Sequence, residues 1–362
     1  MEEIILWSRI VHQFRESCLN FDRLWIKRKR SFSTESMVKS LMLLTAGSRQ
    51  AYCRTLEQIW PDSTPAPAAS SFCEARTKFP PHIIGEIRRD LLELSDESTK
   101  SDIWHGFRLH AVDGTKVSLP RSLFAYGFRA APGGFCPQAL VSLLVRLDDR
   151  MAIDIRLSKH ENERAEAHEH LAHLHRGDLV IYDRGYLSFS LLQAHQSHKV
   201  AAVFRVSKGV TFKPIELFWK SKKTEAVVTI DPTSVTYRNS KKKHPEYQPG
   251  PIKVRLIKYQ ISGQTYVLAT TLLNEDIPAE DFVPLYAERW KAEETFKAYK
   301  QTLEMEVFHS KTENGILQEI ESTALFWNLS RTITNSIDDK LKKNETAAQY
   351  YRTSKLTAAK VS

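Results

Sequence analysis

The order of strand-like and helical segments in the middle of the chain constrains the fold more than any other feature of the sequence. Three apolar, β-branched runs come first, and two further strand-like runs then alternate with helical segments. Strands are predicted at 107–117, 139–147, 151–157, 179–182 and 200–206, and helices at 162–175, 188–198 and around Glu293. This β-β-β-α-β-α-β-α order predicts an α/β domain built on a mixed sheet.

Two of the predicted strands each deliver an aspartate close to a glycine. Asp113 directly precedes Gly114 in FRLHAVDGTKV, and Asp183 follows the apolar run LVIY and precedes Arg184-Gly185. An apolar strand fixes the backbone of the acid, and a nearby glycine lets a phosphate approach closely, so the pattern favours metal binding. Asp-Gly is also a very common turn pair, and a simple turn is the alternative interpretation for Asp113.

A third acid lies in the segment YAERWKAEETFKAYK, which ends at Lys300. At about 100° per helical residue, Tyr286, Arg289, Glu293 and Lys300 project from one stripe about 60° wide, and Lys297 lies beside it. The neighbouring face is apolar and is predicted to be buried; it consists of Leu285, Ala292, Phe296, Tyr299 and Leu303.

This stripe places one carboxylate among several cations. Such a carboxylate stays ionised and can bind a metal while its basic neighbours hold phosphates. The alternative is a surface helix with ordinary salt bridges between residues three and four apart.

With acids on the first strand, the fourth strand and the last helix, the pattern describes a ribonuclease-H-like nucleotidyl-transfer core. The sequence also resembles the DDE transposases of the insertion-sequence-four family. The resemblance rests on VDGT around Asp113, on YDRGY around Asp183, and on the Y-x2-R-x3-E-x6-K signature from Tyr286 to Lys300. It covers roughly residues 70 to 330.

The resemblance implies Mg²⁺-dependent cleavage of DNA at transposon ends and joining of those ends to target DNA. Asp113, Asp183 and Glu293 are then the catalytic residues and the ligands of two Mg²⁺ ions, which Mn²⁺ can replace. The implied DNA contacts are Tyr286, Arg289, Trp290, Lys297 and Lys300. The partners are double-stranded DNA, as terminal inverted repeats and target, and a second copy of the chain in a homodimeric synaptic complex.

Two other functions stay open from the sequence. One is a domesticated or inactive DNA-binding relative of the same fold, which keeps the acids but no longer moves DNA. The other is a non-catalytic architectural DNA-binding protein, which would account for the charge but not for the ordered acids.

The 110 residues between Asp183 and Glu293 leave room for an insertion, and the resemblance implies a β-rich one. Strand-like runs occupy 226–230, 253–261 and 265–273, and no helix is predicted from 207 to 273. The segment is rich in basic residues, namely Lys220, Lys222, Lys223, Arg238 and Lys241 to Lys243. Beside a nuclease core we expect these to contact the DNA backbone; a solvated sheet edge is the alternative.

The first hundred residues have helical spacing and predict an all-helical domain ahead of the core. Lys27 to Arg30 is a short basic run, interpreted either as a solvated loop or as a phosphate contact. The predicted boundaries are 1–98 for the helical, candidate end-binding domain, 99–206 and 276–335 for the two parts of the core, 207–275 for the insertion and 336–362 for a polar tail. The histidine-rich segment 160–175 lacks the HExxH zinc pattern and is predicted to be a solvent-exposed helix, with a weak zinc or nickel site as the alternative.

Whole-chain properties fit a nucleic-acid partner. The 362 residues carry a formal net charge of +9, which favours a polyanion. The four cysteines are widely spaced, which argues against a disulfide framework or a cysteine-based zinc site. The chain shows no signal peptide and no apolar run long enough to cross a membrane, so we expect a cytoplasmic, nucleoid-associated bacterial protein without a membrane partner.

Overall fold

A computed structural model describes residues 2–26, 32–46, 52–60, 65–98, 103–160, 162–243, 250–301 and 307–343. The basic run at 27–30 and the predicted apolar residue Leu303 lie outside these ranges. None of the helices in the described part of the chain combines the length and hydrophobicity that a membrane crossing needs.

Within the described residues, eight strands form one sheet in the order β3-β2-β1-β4-β5-β8-β7-β6. The strands are β1 (Arg108–Ser118), β2 (Gln138–Arg146), β3 (Ala152–Ser158), β4 (Asp178–Tyr182), β5 (Ala201–Arg205), β6 (Glu225–Ile230), β7 (Ile252–Ile261) and β8 (Gln264–Thr270). The first three strands are antiparallel neighbours, whereas β1, β4 and β5 run parallel. This order and these directions are those of a ribonuclease-H-like core, so the predicted fold class is confirmed.

The strands predicted in the insertion extend this sheet. Strand β8 pairs antiparallel with β5, and β7 and β6 follow it outward. The hairpin between β7 and β8 turns at Ser262 and Gly263, both with positive φ, which is typical of tight β-hairpin turns.

Helices cover both faces of the sheet. They are α1 (Glu2–Trp25), α2 (Thr34–Ala46), α3 (Tyr52–Ile59), α4 (Ala69–Lys78), α5 (His82–Ser98), α6 (Glu163–His170), α7 (Phe189–His198), α8 (Lys213–Lys220), α9 (Ser234–Lys243), α10 (Phe282–Ala287), α11 (Trp290–Gln301) and α12 (Glu313–Lys343). One apolar cluster joins the sheet to α10, α11 and α12, and a second joins the opposite face to α6, α7 and α8. The apolar face predicted for the Glu293 helix is buried in the first cluster at all its described positions.

The N-terminal helices pack against the core through α12. Their own apolar cluster includes Leu325 from α12. Arg76 on α4 contacts Glu319 at 2.5 Å, and both side chains are buried. Arg88 on α5 reaches the sheet itself, donating to the carbonyl oxygen of Ala152 at 2.9 Å. The helical N-terminal segment is thus joined to the core by buried polar bonds as well as by apolar packing.

The prediction that residues 207–273 contain no helix is wrong. Helix α8 buries Ile215 and Phe218 against the sheet, and α9 follows β6. Both helices are short, and α8 buries only two of its eight residues. A pattern of that length carries too few apolar repeats to be recognised. The basic side chains of Lys222, Lys223 and Arg238 are exposed.

One other predicted core helix also differs in detail from the structure. The helix predicted at 162–175 is an α-helix only to His170, and a 3₁₀ turn follows at Leu171–His173. Its predicted exposure is wrong at His170, which is completely buried. There His170 lies between Asp154 and Ser142, with its Nδ1 atom 2.8 Å from the Asp154 carboxylate and its Nε2 atom 3.0 Å from the Ser142 hydroxyl. His168 and His170 therefore differ in exposure, because only His170 faces the sheet.

Candidate active site

Asp113 and Asp183 lie at the same level on neighbouring parallel strands. The pairing of β1 with β4 matches Leu109 to Leu179 and ends with Ala111 opposite Ile181. Each aspartate comes two residues after that last pair. Because neighbouring strands are about 4.8 Å apart, the register brings the two acid-bearing segments together despite their separation in sequence.

Asp113 is held within β1 and is half-buried. Its own Oδ1 atom accepts a hydrogen bond from the amide of Gly114 at 3.0 Å. Burial raises the pKa of Asp113 to about 6; the Gly114 bond and the charge of Arg289 oppose the shift, and the charges of Glu293 and Glu163 add to it. Asp113 and Glu293 are 180 positions apart in the sequence, yet they lie close enough for the charge of one to act on the other.

Asp183 is bound from two sides. The hydroxyl of Tyr286 donates to its Oδ1 atom at 3.0 Å. The guanidinium of Arg205 lies 3.9 Å from the same oxygen and stacks over the ring of Tyr266. The last residue pair between β4 and β5 is Tyr182 with Phe204. The next residues along the two strands, Asp183 and Arg205, therefore lie beside each other.

Arg289 and Glu293 form an ion pair at the start of α11. The Nη2 atom of Arg289 lies 2.5 Å from Oε1 of Glu293, and Arg289 is only 7 % exposed. Burial lowers the pKa of Arg289, but the bond to Glu293 and the nearby charge of Asp183 outweigh it and raise the pKa overall. The Nε atom of Arg289 is buried without a hydrogen-bond partner.

The predicted stripe is not carried by one continuous α-helix. Helix α10 ends at Ala287 and α11 begins at Trp290. Between them, the amides of Glu288 and Arg289 donate to carbonyl oxygens three residues back, as in a 3₁₀ turn. This tighter turn directs Tyr286 to Asp183, while Arg289 faces Glu293.

The other predicted DNA contacts lie further along α11. Trp290 is 61 % exposed, and Lys297 is also exposed. The Nζ atom of Lys300 lies 3.4 Å from the carbonyl oxygen of Lys116, three residues after Asp113 on β1. Helix α11 therefore exposes Trp290 and Lys297 to solvent and places Lys300 beside β1, the strand that carries Asp113.

Sequence reasoning missed two charged residues of the site, Glu163 and Arg205. Glu163 is the first residue of α6, and its charge acts on both aspartates. Arg205 ends β5. The sequence contains a usable signal for Arg205, because a polar residue at the end of a strand parallel to the acid strands reaches the same edge of the sheet. No comparable pattern marks Glu163, because its place depends on how α6 packs.

The donor set of the site consists of carboxylate oxygens, which suit Mg²⁺ or Mn²⁺ and not thiol-binding metals. Among the residues that the structure describes, no three acidic, histidine or cysteine side chains stand close enough to enclose an ion without movement. Two of the acids are paired with neighbours, Glu293 with Arg289 and Asp183 with Tyr286. The oxygen chemistry of the donor set fits Mg²⁺.

Three comparisons show which known proteins the chain is similar to. A family model described as a transposase DDE domain matches residues 104–329, which include all three acids of the signature. The transposase InsG for insertion sequence element IS4 of Escherichia coli (strain K12) is 23 % identical over 320 residues, covering 84 % of this chain and 70 % of that protein. A solved structure, a piggyBac transposase synaptic complex with hairpin DNA, matches with a TM-score of 0.46 and 10 % identity over 92 % of this chain and 73 % of that chain. Because the family model matches more than half of its length, the chain belongs to the DDE transposases, a family of phosphoryl-transfer enzymes.

Proposed function

We propose that this chain is an active transposase, which cleaves DNA at transposon ends and joins those ends to target DNA. The observation that carries the proposal is the register of β1 and β4, which sets Asp113 beside Asp183 at one edge of the sheet. Helix α11 packs against β1 and brings Glu293 to the same place. Three acids from distant parts of the chain thus border one space.

In this proposal Asp113, Asp183 and Glu293 hold two Mg²⁺ ions. Bound there, Mg²⁺ activates the attacking oxygen and stabilises the charge of the leaving one. The protein supplies the positions of the ligands. The Gly114 amide orients Asp113, and the Tyr286 hydroxyl binds one oxygen of Asp183 and leaves the other available.

Arg289 has two roles in the proposed reaction. It neutralises Glu293, and its charge acts against the repulsion among the acids. Its planar guanidinium would also hold two oxygens of a phosphate with two parallel hydrogen bonds. The Nε atom, which is buried without a hydrogen-bond partner, would be one of the two donors.

The exposed part of α11 is the proposed contact for the DNA backbone and for an unpaired base. Lys297 and Lys300 carry the charge, and Trp290 offers a ring on which a base can stack. The net charge of +9 favours the approach of a polyanion over a longer range. Two copies of the chain, each bound to one transposon end, make up the proposed synaptic complex.

The experiment that tests this proposal uses the full chain and a duplex that carries the terminal repeats flanking its own coding region. A duplex with scrambled ends and a reaction with EDTA are the controls. We expect cleavage at the repeat boundary only with Mg²⁺ or Mn²⁺ and only with intact ends. Binding of the true ends without cleavage under all metal conditions would instead identify an inactive relative.

A further inference from the structure

Glu163 lies between the two segments that carry Asp113 and Asp183. A Cβ atom at Gly114 would lie 3.2 Å from the Oε1 atom of Glu163, and one at Gly185 would lie 3.5 Å from its Oε2 atom. Gly114 follows Asp113 directly, and Gly185 comes two residues after Asp183. The carboxylate of Glu163 is thus inserted between the acid-bearing strand and the acid-bearing loop.

This insertion depends on the two glycines. The pairing of β1 with β4 has ended before Gly114 and Gly185, so the strands leave a gap there. Even a methyl group at Gly114 would press on Glu163 and would also lie 3.1 Å from the side chain of Leu140. The glycines therefore keep the gap open for a carboxylate that arrives from the α6 face of the sheet, opposite to the face of Glu293.

The start of α6 is fixed to the same loop. The side chain of Asn162 caps the helix by accepting from the amide of Ala165, and Glu163 is the next residue. The Nε atom of Arg164 donates to the carbonyl oxygen of Gly185 at 2.6 Å. Glu163 consequently lies between a residue that caps its own helix and a residue that joins this helix to the Asp183 loop.

A buried hydroxyl gives independent evidence that something binds between these acids. Tyr186 is only 2 % exposed, and its hydroxyl has no hydrogen-bond partner. Tyr186 follows Gly185 directly, and its amide donates to the carbonyl oxygen of Asp183 at 3.2 Å, so the residue belongs to the Asp183 loop. Buried hydroxyls in folded proteins nearly always have a partner, and an unpartnered one points to a missing acceptor.

We propose that Glu163 is a fourth carboxylate of the metal site, acting with Asp113 and Asp183 toward a divalent cation, and that the Tyr186 hydroxyl is a hydrogen-bond donor of the same site. The proposal rests on the proposed function, because it assigns a further ligand to the same site. It accounts for the acid in the gap, for the two glycines and for the unpartnered phenol. If Glu163 served only to favour the start of α6, a neutral residue of the same shape would leave metal binding unchanged.

The test measures Mn²⁺ binding to the full chain without DNA. Titration calorimetry gives the Kd, and the electron paramagnetic resonance signal of free Mn²⁺ decreases as the ion binds. Glu163→Gln keeps the size of the side chain and removes its charge. Glu169→Gln is the matched control, because Glu169 is an exposed acid on the same helix. We expect the Mn²⁺ Kd to rise at least tenfold for Glu163→Gln and to stay within twofold of the parent for Glu169→Gln.

Asp113→Asn and Asp183→Asn distinguish this proposal from the proposed function. If both aspartate variants lose Mn²⁺ binding and Glu163→Gln binds like the parent, the role of Glu163 is wrong and the site stands. If the aspartate variants also bind like the parent, the site itself is wrong. Should Glu163→Gln fail to fold, as seen by circular dichroism, Glu163→Asp replaces it, with an expected loss of affinity and with parental affinity as the contradicting result.

Discussion

The guanidinium of Arg289 lies 2.5 Å from the carboxylate of Glu293, one turn further along the chain. Both residues belong to the Y-x2-R-x3-E-x6-K signature, and in the structure they pair with each other. The pair is partly enclosed, so its charges are less well solvated than those of an exposed salt bridge.

This pairing predicts that Arg289 affects chemistry more than affinity. Arg289→Gln should lower end cleavage by about a hundredfold or more, because the phosphate loses its bidentate donor and Glu293 loses its counter-ion. The salt dependence of DNA binding should change by less than half a unit of slope, since the side chain is buried. Gel-shift titrations at several salt concentrations and a cleavage assay measure the two effects. Lys291→Gln, which removes the ion pair with Glu288 instead, is the control.

The opposite pattern is expected for the lysines further along α11. Lys297→Ala and Lys300→Ala should each flatten the salt dependence of binding by about one unit, equally for specific and non-specific DNA. Lys253→Ala is the control, because Lys253 lines a depression beside Gly177 and Val200, which precede β4 and β5 at the far edge of the sheet. An unchanged slope in both α11 variants would show that this helix does not face the DNA backbone.

Trp290 provides a separate test of base stacking. Trp290→Ala should weaken binding to DNA with an unpaired end base by about 1–3 kcal/mol and leave the salt slope unchanged. Fully paired duplex DNA, measured in parallel by fluorescence anisotropy, should bind the variant and the parent with similar affinity. Equal losses on both substrates would assign Trp290 to the protein fold and not to a base contact.

The buried position of Asp113 predicts a pH-dependent stability in the absence of metal. Burial raises its pKa from the ordinary 3.8 to about 6, so the folded chain binds this proton more tightly than the unfolded chain does. The resulting stabilisation is present at low pH and is lost as pH rises through about 6. Asp113→Asn removes the charge, so in EDTA its Tm should rise relative to the parent between pH 4 and 6.5 and stay higher above that range. A difference in Tm that does not vary with pH would contradict the burial of this carboxyl.

The buried hydrogen bonds of His170 predict a structural role for it. His170→Ala leaves Asp154 and Ser142 without their shared partner and opens a cavity, so the free energy of unfolding should fall by about 2–4 kcal/mol. His175→Ala should change it by less than about 0.5 kcal/mol, because that side chain is exposed. Urea denaturation of the metal-free chain measures both. A loss as small as that of the control would contradict the packing described for α6.

Much of the core could be predicted because its signals are local. The strands that lead to Asp113 and Asp183 are apolar runs with clear ends. The helix predicted at 188–198 is α7, which Ser188 caps by accepting from the amide of Leu191. The apolar face of α11 could also be predicted, because the apolar residues at helical spacing are the ones that the structure buries. The predicted roles of the signature residues remain to be tested.

The parts that could not be predicted depend on tertiary packing. Helix α8 has only two buried positions, and the 3₁₀ turn before Trp290 interrupts a segment whose spacing is that of one continuous helix. The burial of His170 follows from its position over Ser142 on β2. Glu163 enters the site only because α6 is fixed to the Gly185 loop, and such a contact leaves no trace in local spacing.

The most direct test of the central claim is strand cleavage at a transposon end by Asp113→Asn, Asp183→Asn and Glu293→Gln, with DNA affinity measured on the same preparations. If the three acids form one metal site, each variant should cut at least about a thousandfold more slowly than the parent and should bind the end within about threefold of the parental Kd. Cleavage within tenfold of the parent by any one variant that binds DNA normally would contradict the account.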